Sequence, residues 1–532
     1  MNVFNRLLTS VAIGAAVSMS SMAAYAETPA NMLVIANRID DIITIDPAES
    51  FEFAGSDVSR NVYQRLVYLD PMDLEAGYKP ALAESWEVSE DGKTITFIMR
   101  EGITFESGNP VRAEDAAFSL QRAVILNKTP SFILGQFGFT PENAAEMIKA
   151  DGNKLTITTD KKYATSFILN CLTATIGAIV DKETVMANEV DGDMGNTWLK
   201  TNTAGSGPYK LDSWKPNDSV TMSLNPNYTG DKPAMERVIV RHVTESASQR
   251  LLLERGDIDI ARNLNPEDIA GVTAAGGVKV EDELKGHLMY LALNGKHPVL
   301  SKPEVRQAFK YLVDYEGMQN SFLNGQYTTH QNFLPATYLG ASTEKPFSLN
   351  IEKAKELLAE AGVEGLEIEA GVREAQERIE IAQSMQNTLA QVGIKLNITV
   401  GTAKQILGRY RARELDMYVG IWGPDYPDPQ TNAGTFAYNP DNSDEANATG
   451  LLAWRTGWEV SPGMNAAVEA AVTEGDRDTR IQMYQDIQKE FRDTSPFIVM
   501  FQRIEQSAMR ENVMNFSTGQ AVTNAAYWPV TK

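Results

Sequence analysis

Helical and strand periodicities alternate through the second half of the chain. Residues 351–361 place apolar side chains on one helical face, and Gly362 follows where such a helix would end. Residues 366–370 then alternate as a strand, 379–392 repeat the helical pattern, and 394–400 alternate again. This order of elements is typical of helices packed on a sheet, so we predict an α/β domain here.

The first half of the chain predicts shorter elements separated by turn residues. Residues 56–69 carry apolar side chains at steps of about one helical turn, which predicts a helix. An Asp-Gly pair at 91–92 indicates a hairpin turn, and the alternation over 95–99 predicts a half-buried strand after it. A further helix is predicted over 113–122, with acidic side chains in its first turn, where the helix dipole favours them.

Residues 417–429 combine a short apolar strand with a rigid loop that is both acidic and aromatic. Three prolines and a glycine in the second part argue against a helix or a central strand there. The loop carries Trp422, Asp425 and Tyr426, so it could present a carboxylate to a cation. The alternative is a surface turn in which Asp425 and Asp428 bond to their own backbone.

A second aromatic loop lies near the start of the chain and contains Phe51 and Phe53. It follows an apolar strand predicted at 33–36 and precedes the helix predicted over 56–69. These rings could line a pocket, and an ordinary packed loop is the alternative. We retain both residues as candidates for ligand binding.

The first 26 residues have the pattern of a secretory signal peptide. Arg6 gives a basic start, residues 7–17 are mostly apolar, and Ala-Tyr-Ala at 24–26 is a small-x-small cleavage site. No cysteine lies near this site, which argues against a lipoprotein anchor. No later segment has 18 consecutive apolar residues, so we expect a soluble protein exported to the periplasm.

Charge and cysteine content narrow the possible functions. The formal net charge of −22 argues against nucleic acid or an anionic membrane surface as partner, and it is compatible with a cationic ligand. Cys171 is the single cysteine, so no intramolecular disulfide and no cysteine-rich metal site can form. Its apolar neighbours predict a core position. We expect no cofactor.

Several motifs in the first half occur together in a known family. They are Ala-Glu-Ser-Trp-Glu-Val at 83–88, Asp-Gly-Lys-Thr-Ile-Thr-Phe at 91–97, Met-Arg-Glu-Gly-Ile-Thr-Phe at 99–105, Gly-Asn-Pro at 108–110 and Ala-Glu-Asp-Ala-Ala-Phe-Ser-Leu at 113–120. This stretch resembles the signature of the family 5 solute-binding proteins, the extracytoplasmic receptors of peptide and nickel ABC importers. Segments within 205–211, 225–233, 251–260 and 291–308 are similar to later family blocks, in the same order.

The resemblance implies an α/β fold with two lobes, three domains and a hinge between the lobes. Domain I is expected to be discontinuous because the family's chain returns to it twice. The expected boundaries are 27–74, 206–290 and 501–532 for domain I, 75–205 for domain II and 291–500 for domain III.

The resemblance also implies roles for individual residues. In peptide-binding members, an aspartate in a Trp-Gly-x-x-Asp-x-x-Asp-Pro loop binds the ligand's ammonium, and this role falls on Asp425. Trp422 and Tyr426 would wall the pocket. Arg373 and Arg378 stand roughly where members place a cation for the peptide carboxylate, and a solvated helix face is the alternative for both.

The family pattern is not followed immediately after the acidic loop. Members often have an aromatic pair shortly after the Asp-Pro, whereas here a polar segment occupies 430–435 and Phe436 comes only later. In this family the residues after the loop help to form the pockets for the ligand's side chains. The departure therefore leaves the identity of the ligand open.

The expected function is capture of a short peptide, or a related amine-bearing solute, by a monomer that delivers it to an ABC importer permease in the inner membrane. An oligosaccharide or another small solute is the alternative ligand, and nickel or haem is a third possibility. An enzyme is not expected, because the sequence has no Gly-x-Ser-x-Gly and no His-Glu-x-x-His motif. The four histidines form no HxH or HxxxH pair.

Overall fold

The computed structural model describes residues 27–520 and 525–532, so the signal peptide predicted at 1–26 lies outside the described residues. The strands are β1 (Met32–Asn37), β2 (Val67–Leu69), β3 (Tyr78–Pro80), β4 (Ala83–Val88), β5 (Thr94–Met99), β6 (Ile148–Asp151), β7 (Lys154–Thr158), β8 (Tyr209–Lys215), β9 (Ser219–Leu224), β10 (Arg237–His242), β11 (Ile260–Ala261), β12 (Val278–Leu293), β13 (Tyr327–Thr329), β14 (Glu367–Arg373), β15 (Lys395–Gly401), β16 (Met417–Trp422) and β17 (Phe497–Arg510).

The α-helices are distributed along the same part of the chain. They are α1 (Phe53–Val62), α2 (Ala113–Leu126), α3 (Phe132–Gly135), α4 (Ala144–Met147), α5 (Thr165–Thr173), α6 (Lys182–Ala187), α7 (Asn196–Leu199), α8 (Ser246–Arg255), α9 (Pro266–Ala275), α10 (Pro303–Lys310), α11 (Tyr315–Gln319), α12 (Ile351–Glu360), α13 (Gln376–Ala390), α14 (Ala403–Arg411), α15 (Pro429–Phe436), α16 (Leu452–Arg455), α17 (Pro462–Ala471) and α18 (Arg477–Thr494).

The largest sheet in the described part of the chain has eleven strands. Its order is β15-β14-β16-β12-β17-β11-β1-β10-β9-β8, and β13 pairs with β17. Along β12, Leu288 and Tyr290 belong to one apolar cluster, whereas Met289 and Leu291 belong to another. Because successive side chains of a strand point to opposite faces, the centre of this sheet is covered on both sides.

The αβ alternation predicted for 351–400 is confirmed. β14 pairs in parallel with both β15 and β16, and α13 connects β14 to β15. Asn350 caps α12 by accepting a 2.9 Å hydrogen bond from the Lys353 amide. Gly393 follows α13 with a φ of 78°, a left-handed conformation that glycine adopts without steric cost.

A separate four-stranded antiparallel sheet has the order β4-β5-β7-β6 and lies in the first half of the chain. The predicted hairpin at 91–92 connects β4 to β5, and the predicted helix over 113–122 is part of α2. Both predictions are confirmed. Cys171 is fully buried in the same apolar cluster as this sheet, as its sequence context predicted.

The prediction of a single helix over 56–69 is wrong for the second half of that range. Helix α1 ends at Val62, Tyr63 is extended, and residues 67–69 form β2, which pairs with β3. Val58 and Val62 pack in the cluster around β1, whereas Leu66 packs in the cluster around the four-stranded sheet. The chain crosses between two cores at this point, and tertiary packing therefore overrides the helical periodicity.

Two long strands, β12 and β17, join the halves of the large sheet. Residues 278–284 pair with 504–510, and residues 288–292 pair with 497–502. The pairing is interrupted at 285–287, where the fully buried Lys285 ammonium lies 3.4 Å from Glu283 and 3.5 Å from Glu505. The two strands are thus the structural connection between the N-terminal and C-terminal parts of the sheet.

The described residues contain neither a membrane-spanning helix nor a cluster of metal-ligating side chains. No helix within 27–520 or 525–532 is both long and apolar enough to cross a membrane. Across those residues, no group of three or more His, Cys, Asp or Glu side chains is placed to hold a metal ion.

Candidate ligand-binding site

A cavity of about 720 Å³ lies between the N-terminal half of the chain and the loop at 423–427. This volume falls within the range of small-molecule binding pockets. One side is lined by residues of α1, of β2 and of the segments around 100–103 and 173–176, together with Trp528. The other side is the predicted acidic and aromatic loop, which reaches the cavity directly after β16.

The loop is held at its far end by Asp428. This carboxylate is fully buried, accepts a 2.9 Å hydrogen bond from the Gln430 amide and receives two hydrogen bonds from Arg480, of 2.8 and 3.0 Å. Pro429 occupies the first turn of α15, where a helix does not need its amide hydrogen. Irregular backbone was expected through residue 429, so this expectation is wrong at both ends, because Trp422 completes β16 and Pro429 begins a helix.

Asp425 lines the cavity as a carboxylate without a cationic partner among the described residues. Its backbone amide donates to the Thr431 hydroxyl at 3.2 Å, which fixes the turn. Burial raises the pKa of Asp425 to about 7, and a hydrogen bond from Thr431 offsets part of this effect. A carboxylate in such a setting is costly to ionise unless a cation approaches it.

Three arginines line the same cavity from the N-terminal side, and one of them, Arg100, is exposed and directly follows β5. Arg60 lies in the last turn of α1 and Arg65 lies just before β2. Burial lowers the pKa of Arg60, and burial together with the charge of Arg60 lowers the pKa of Arg65 to about 9. The cavity therefore contains both an acidic and a basic region.

The predicted aromatic residues divide into two groups. Phe51, Phe53 and Tyr426 line the cavity. Tyr426 also donates from its hydroxyl to Gln136 Oε1 at 3.0 Å. The Trp422 ring is outside the cavity lining and packs edge-on against Phe436, with 5.6 Å between ring centroids.

Arg373 and Arg378 are placed elsewhere. Arg373 ends β14 and Arg378 lies in the first turn of α13, and neither lines the cavity. Arg378 Nε lies 3.7 Å from Glu377, and the Nε atoms of both arginines are buried without a hydrogen-bond partner in the described chain. Arg60 and Arg65, which line the cavity together with Arg100, were not identified from the sequence, because the predicted helix over 56–69 obscured the turn between them.

The fold and the cavity define a class of protein, namely a two-lobed α/β receptor for a small solute. The profile of the bacterial extracellular solute-binding proteins, family 5, matches residues 77–444, and the chain belongs to this family. Proteins of this family are periplasmic transport receptors and not enzymes.

Individual relatives are similar to this protein over nearly the whole chain. A probable D,D-dipeptide-binding periplasmic protein of Escherichia coli is 28% identical over 497 residues, which covers 93% of this chain and 92% of the relative. HbpA2 from Haemophilus parasuis superposes with a TM-score of 0.79 at 24% identity, covering 94% of this chain and 99% of the other.

A third comparison is the periplasmic binding protein DppA from Helicobacter pylori in complex with the peptide STSA. It superposes with a TM-score of 0.77 at 23% identity and covers 94% of this chain and 98% of that protein. These superpositions confirm the predicted two-lobed periplasmic-binding-protein fold.

Proposed function

We propose that this protein is a periplasmic receptor that captures a short peptide, or a related amine-bearing solute, and delivers it to the permease of an ABC importer in the inner membrane. The observation that carries this proposal is Asp425, a carboxylate in the cavity with no cationic partner in the described chain. A ligand ammonium would supply the missing charge, and the burial around Asp425 would strengthen the contact.

Relatives support this choice of ligand. The relative from Escherichia coli is named for D,D-dipeptides, and the superposed protein from Helicobacter pylori was determined with a bound peptide. In the proposed site, Phe51, Phe53 and Tyr426 form apolar walls. Trp422 supports the loop from behind through its contact with Phe436.

An oligosaccharide is less well supported by the geometry. Sugar recognition in this loop would rely on the face of Trp422, whose ring packs on Phe436 outside the cavity lining. Once ionised, Asp425 would also remain without a counter-charge beside a neutral sugar. We therefore favour the amine-bearing ligand.

The remaining features of the proposal concern the whole chain. We propose that residues 1–26 are removed as a signal peptide and that the mature protein works as a monomer. We also propose the boundaries 27–74, 206–290 and 501–532 for domain I, 75–205 for domain II and 291–500 for domain III.

The test is calorimetric titration of ligand-depleted protein with a pool of di- and tripeptides, in parallel with the same pool N-acetylated. Wild type should bind the free pool and not the acetylated pool. Asp425→Asn should weaken binding of the free pool by at least about thirtyfold, because a desolvated charge pair is worth about 2 kcal/mol or more. The matched control is Asp191→Asn, an exposed aspartate whose positive φ asparagine also tolerates. Equal binding of both pools would overturn the proposal.

A further inference from the structure

Arg60 and Arg65 are an unusual pair, because both line the cavity and neither forms an ion pair with a carboxylate in the described chain. Arg65 is 9% exposed. The Nε and Nη2 atoms of Arg60 are buried and have no hydrogen-bond partner among the described residues. Two like charges at one wall of a cavity are costly unless an anion joins them.

The acidic side chains that act electrostatically on Arg60 are already engaged. Asp57 and Asp70 both influence Arg60 electrostatically. The Asp57 carboxylate, however, receives a 2.5 Å hydrogen bond from Arg262 and accepts the Ala525 amide at 2.6 Å. Asp70 accepts the Met72 amide at 3.0 Å within its own turn. Neither carboxylate is bonded to the two arginines.

The structural contacts of Arg60 and Arg65 involve only some of their polar atoms. The Arg60 guanidinium lies over the Trp528 ring at 5.4 Å and over the Tyr68 ring at 5.8 Å, and its position near the end of α1 suits a cation. Arg65 Nε donates to the Ala174 carbonyl at 3.1 Å. These contacts orient the two guanidiniums but do not neutralise them.

We infer that Arg60 and Arg65 form an anion subsite that binds a carboxylate of the ligand, in the cavity that Asp425 also lines. This inference rests on the proposed function and narrows it, because the ligand would then carry both a free amine and a free acid. The planar guanidinium suits the recognition of carboxylates, since it donates two parallel hydrogen bonds.

With this subsite, one bound ligand would contact both sides of the cavity. Arg60 and Arg65 belong to the segment of α1 and β2, whereas Asp425 follows β16 near the other end of the chain. A ligand with opposite charges at its ends contacts both sides at once. Its differential affinity for the closed arrangement is what can shift a hinged receptor towards closure.

The experiment compares three pools of di- and tripeptides, namely free, N-acetylated and C-terminally amidated, on ligand-depleted full-length mature protein. Wild type is expected to bind the free pool about ten- to hundredfold more tightly than the amidated pool, the usual range for hydrogen bonds to a charged group. Arg60→Gln and Arg65→Gln should reduce or abolish this preference, whereas Arg65→Lys should retain part of it. The matched control, Arg237→Gln on the exposed face of β10, should behave as wild type.

The outcomes distinguish a failure of the anion subsite from a failure of the proposed function. If amidated peptides bind as well as free ones while acetylated peptides fail, the subsite is wrong and the amine receptor stands. If no pool binds, both proposals fail. A loss of affinity for free and amidated pools by the same factor in the Gln variants would indicate a structural role and overturn the inference. Loss of the preference in Arg373→Gln or Arg378→Gln, and not in the Arg60 or Arg65 variants, would overturn it too.

Discussion

Asp425 determines how the proposed site responds to pH. Its pKa is raised from 3.8 to about 7, first by burial, and a hydrogen bond from Thr431 opposes this shift. Below about pH 7 the unliganded site therefore holds a proton on Asp425. An ammonium ligand can pair with this carboxylate only after that proton has left, so binding is coupled to proton release.

We predict that affinity for a free peptide is highest between about pH 7 and 8. Each pH unit below 7 should weaken binding about tenfold, because protonated Asp425 must first be ionised. Above about pH 8 the peptide's α-amine loses its proton, and affinity should fall again. Calorimetric titration from pH 5 to 9 measures both limbs, and Asp425→Asn should lack the acid limb. An acid limb that persists in this variant would contradict the assignment.

At the scale of single residues, the sequence points to a cavity-lining residue where a local motif carries the signal. Asp425 was identified because it lies in a motif-bearing loop, and the structure places it in the cavity lining. Arg60 and Arg65 were missed because their common environment depends on the chain leaving α1 at Val62 and turning into β2. That turn is produced by packing between two cores, which local periodicity does not encode.

At the scale of elements, the end of α1 is held by a close approach of the segment around Gly205. The Gly207 amide donates to the Val62 carbonyl at 3.0 Å. A Cβ atom on Gly205 would lie 1.9 Å from the same carbonyl oxygen, a distance that no side chain can occupy. The termination of α1, and with it the placement of Arg60, depends on this contact between distant parts of the chain.

Gly205→Ala is therefore expected to lower the thermal unfolding temperature and to weaken peptide binding, because the backbone at Val62 must shift. The control is Gly408→Ala in α14, where an added Cβ meets nothing within 4 Å. This control should be neutral or should stabilise by about 0.5–1 kcal/mol, the usual gain from replacing glycine inside a helix. Differential scanning fluorimetry measures both variants. An unchanged Gly205→Ala protein would show that the close approach is not required.

Helices and strands with a strong periodicity of apolar residues were predictable from the sequence. Elements whose ends depend on contacts with distant parts of the chain were not. The alternation of helices and strands over 351–400 was correct because each segment shows its own periodicity. Helix α15 was not expected, because the three prolines between 424 and 429 indicate a loop. Its start depends on the buried Asp428, whose ion pair with Arg480 joins residues 52 positions apart.

At the scale of the whole molecule, hydrogen bonds hold the two sides of the cleft together. Asn170 Nδ2 donates to Asp428 at 2.9 Å, and the Ala164 amide donates to the Val472 carbonyl at 2.9 Å. Tyr426 adds a third contact through its hydroxyl to Gln136. These contacts join the two sides without involving a ligand, so we expect them to contribute to the balance between open and closed forms.

Tyr426→Phe removes one of these hydrogen bonds and keeps the ring. We expect the unliganded protein to become more open, with a larger radius of gyration by small-angle X-ray scattering, and peptide affinity to fall about two- to tenfold. Saturating peptide should restore the wild-type radius. Tyr438→Phe is the matched control, since its hydroxyl bonds to Glu469 on the surface. If the two variants behave alike, the cross-cleft bond does not influence closure.

The most direct test of the central claim is mass spectrometry of protein purified gently from the producing cells without refolding, first intact under native conditions and then after denaturing release of any bound ligand. We expect the wild-type protein to release a ladder of short peptides with free amines, and Asp425→Asn, prepared in parallel, to release none. A single sugar, metal complex or other non-peptide compound would contradict the account, as would the same peptides released from both proteins.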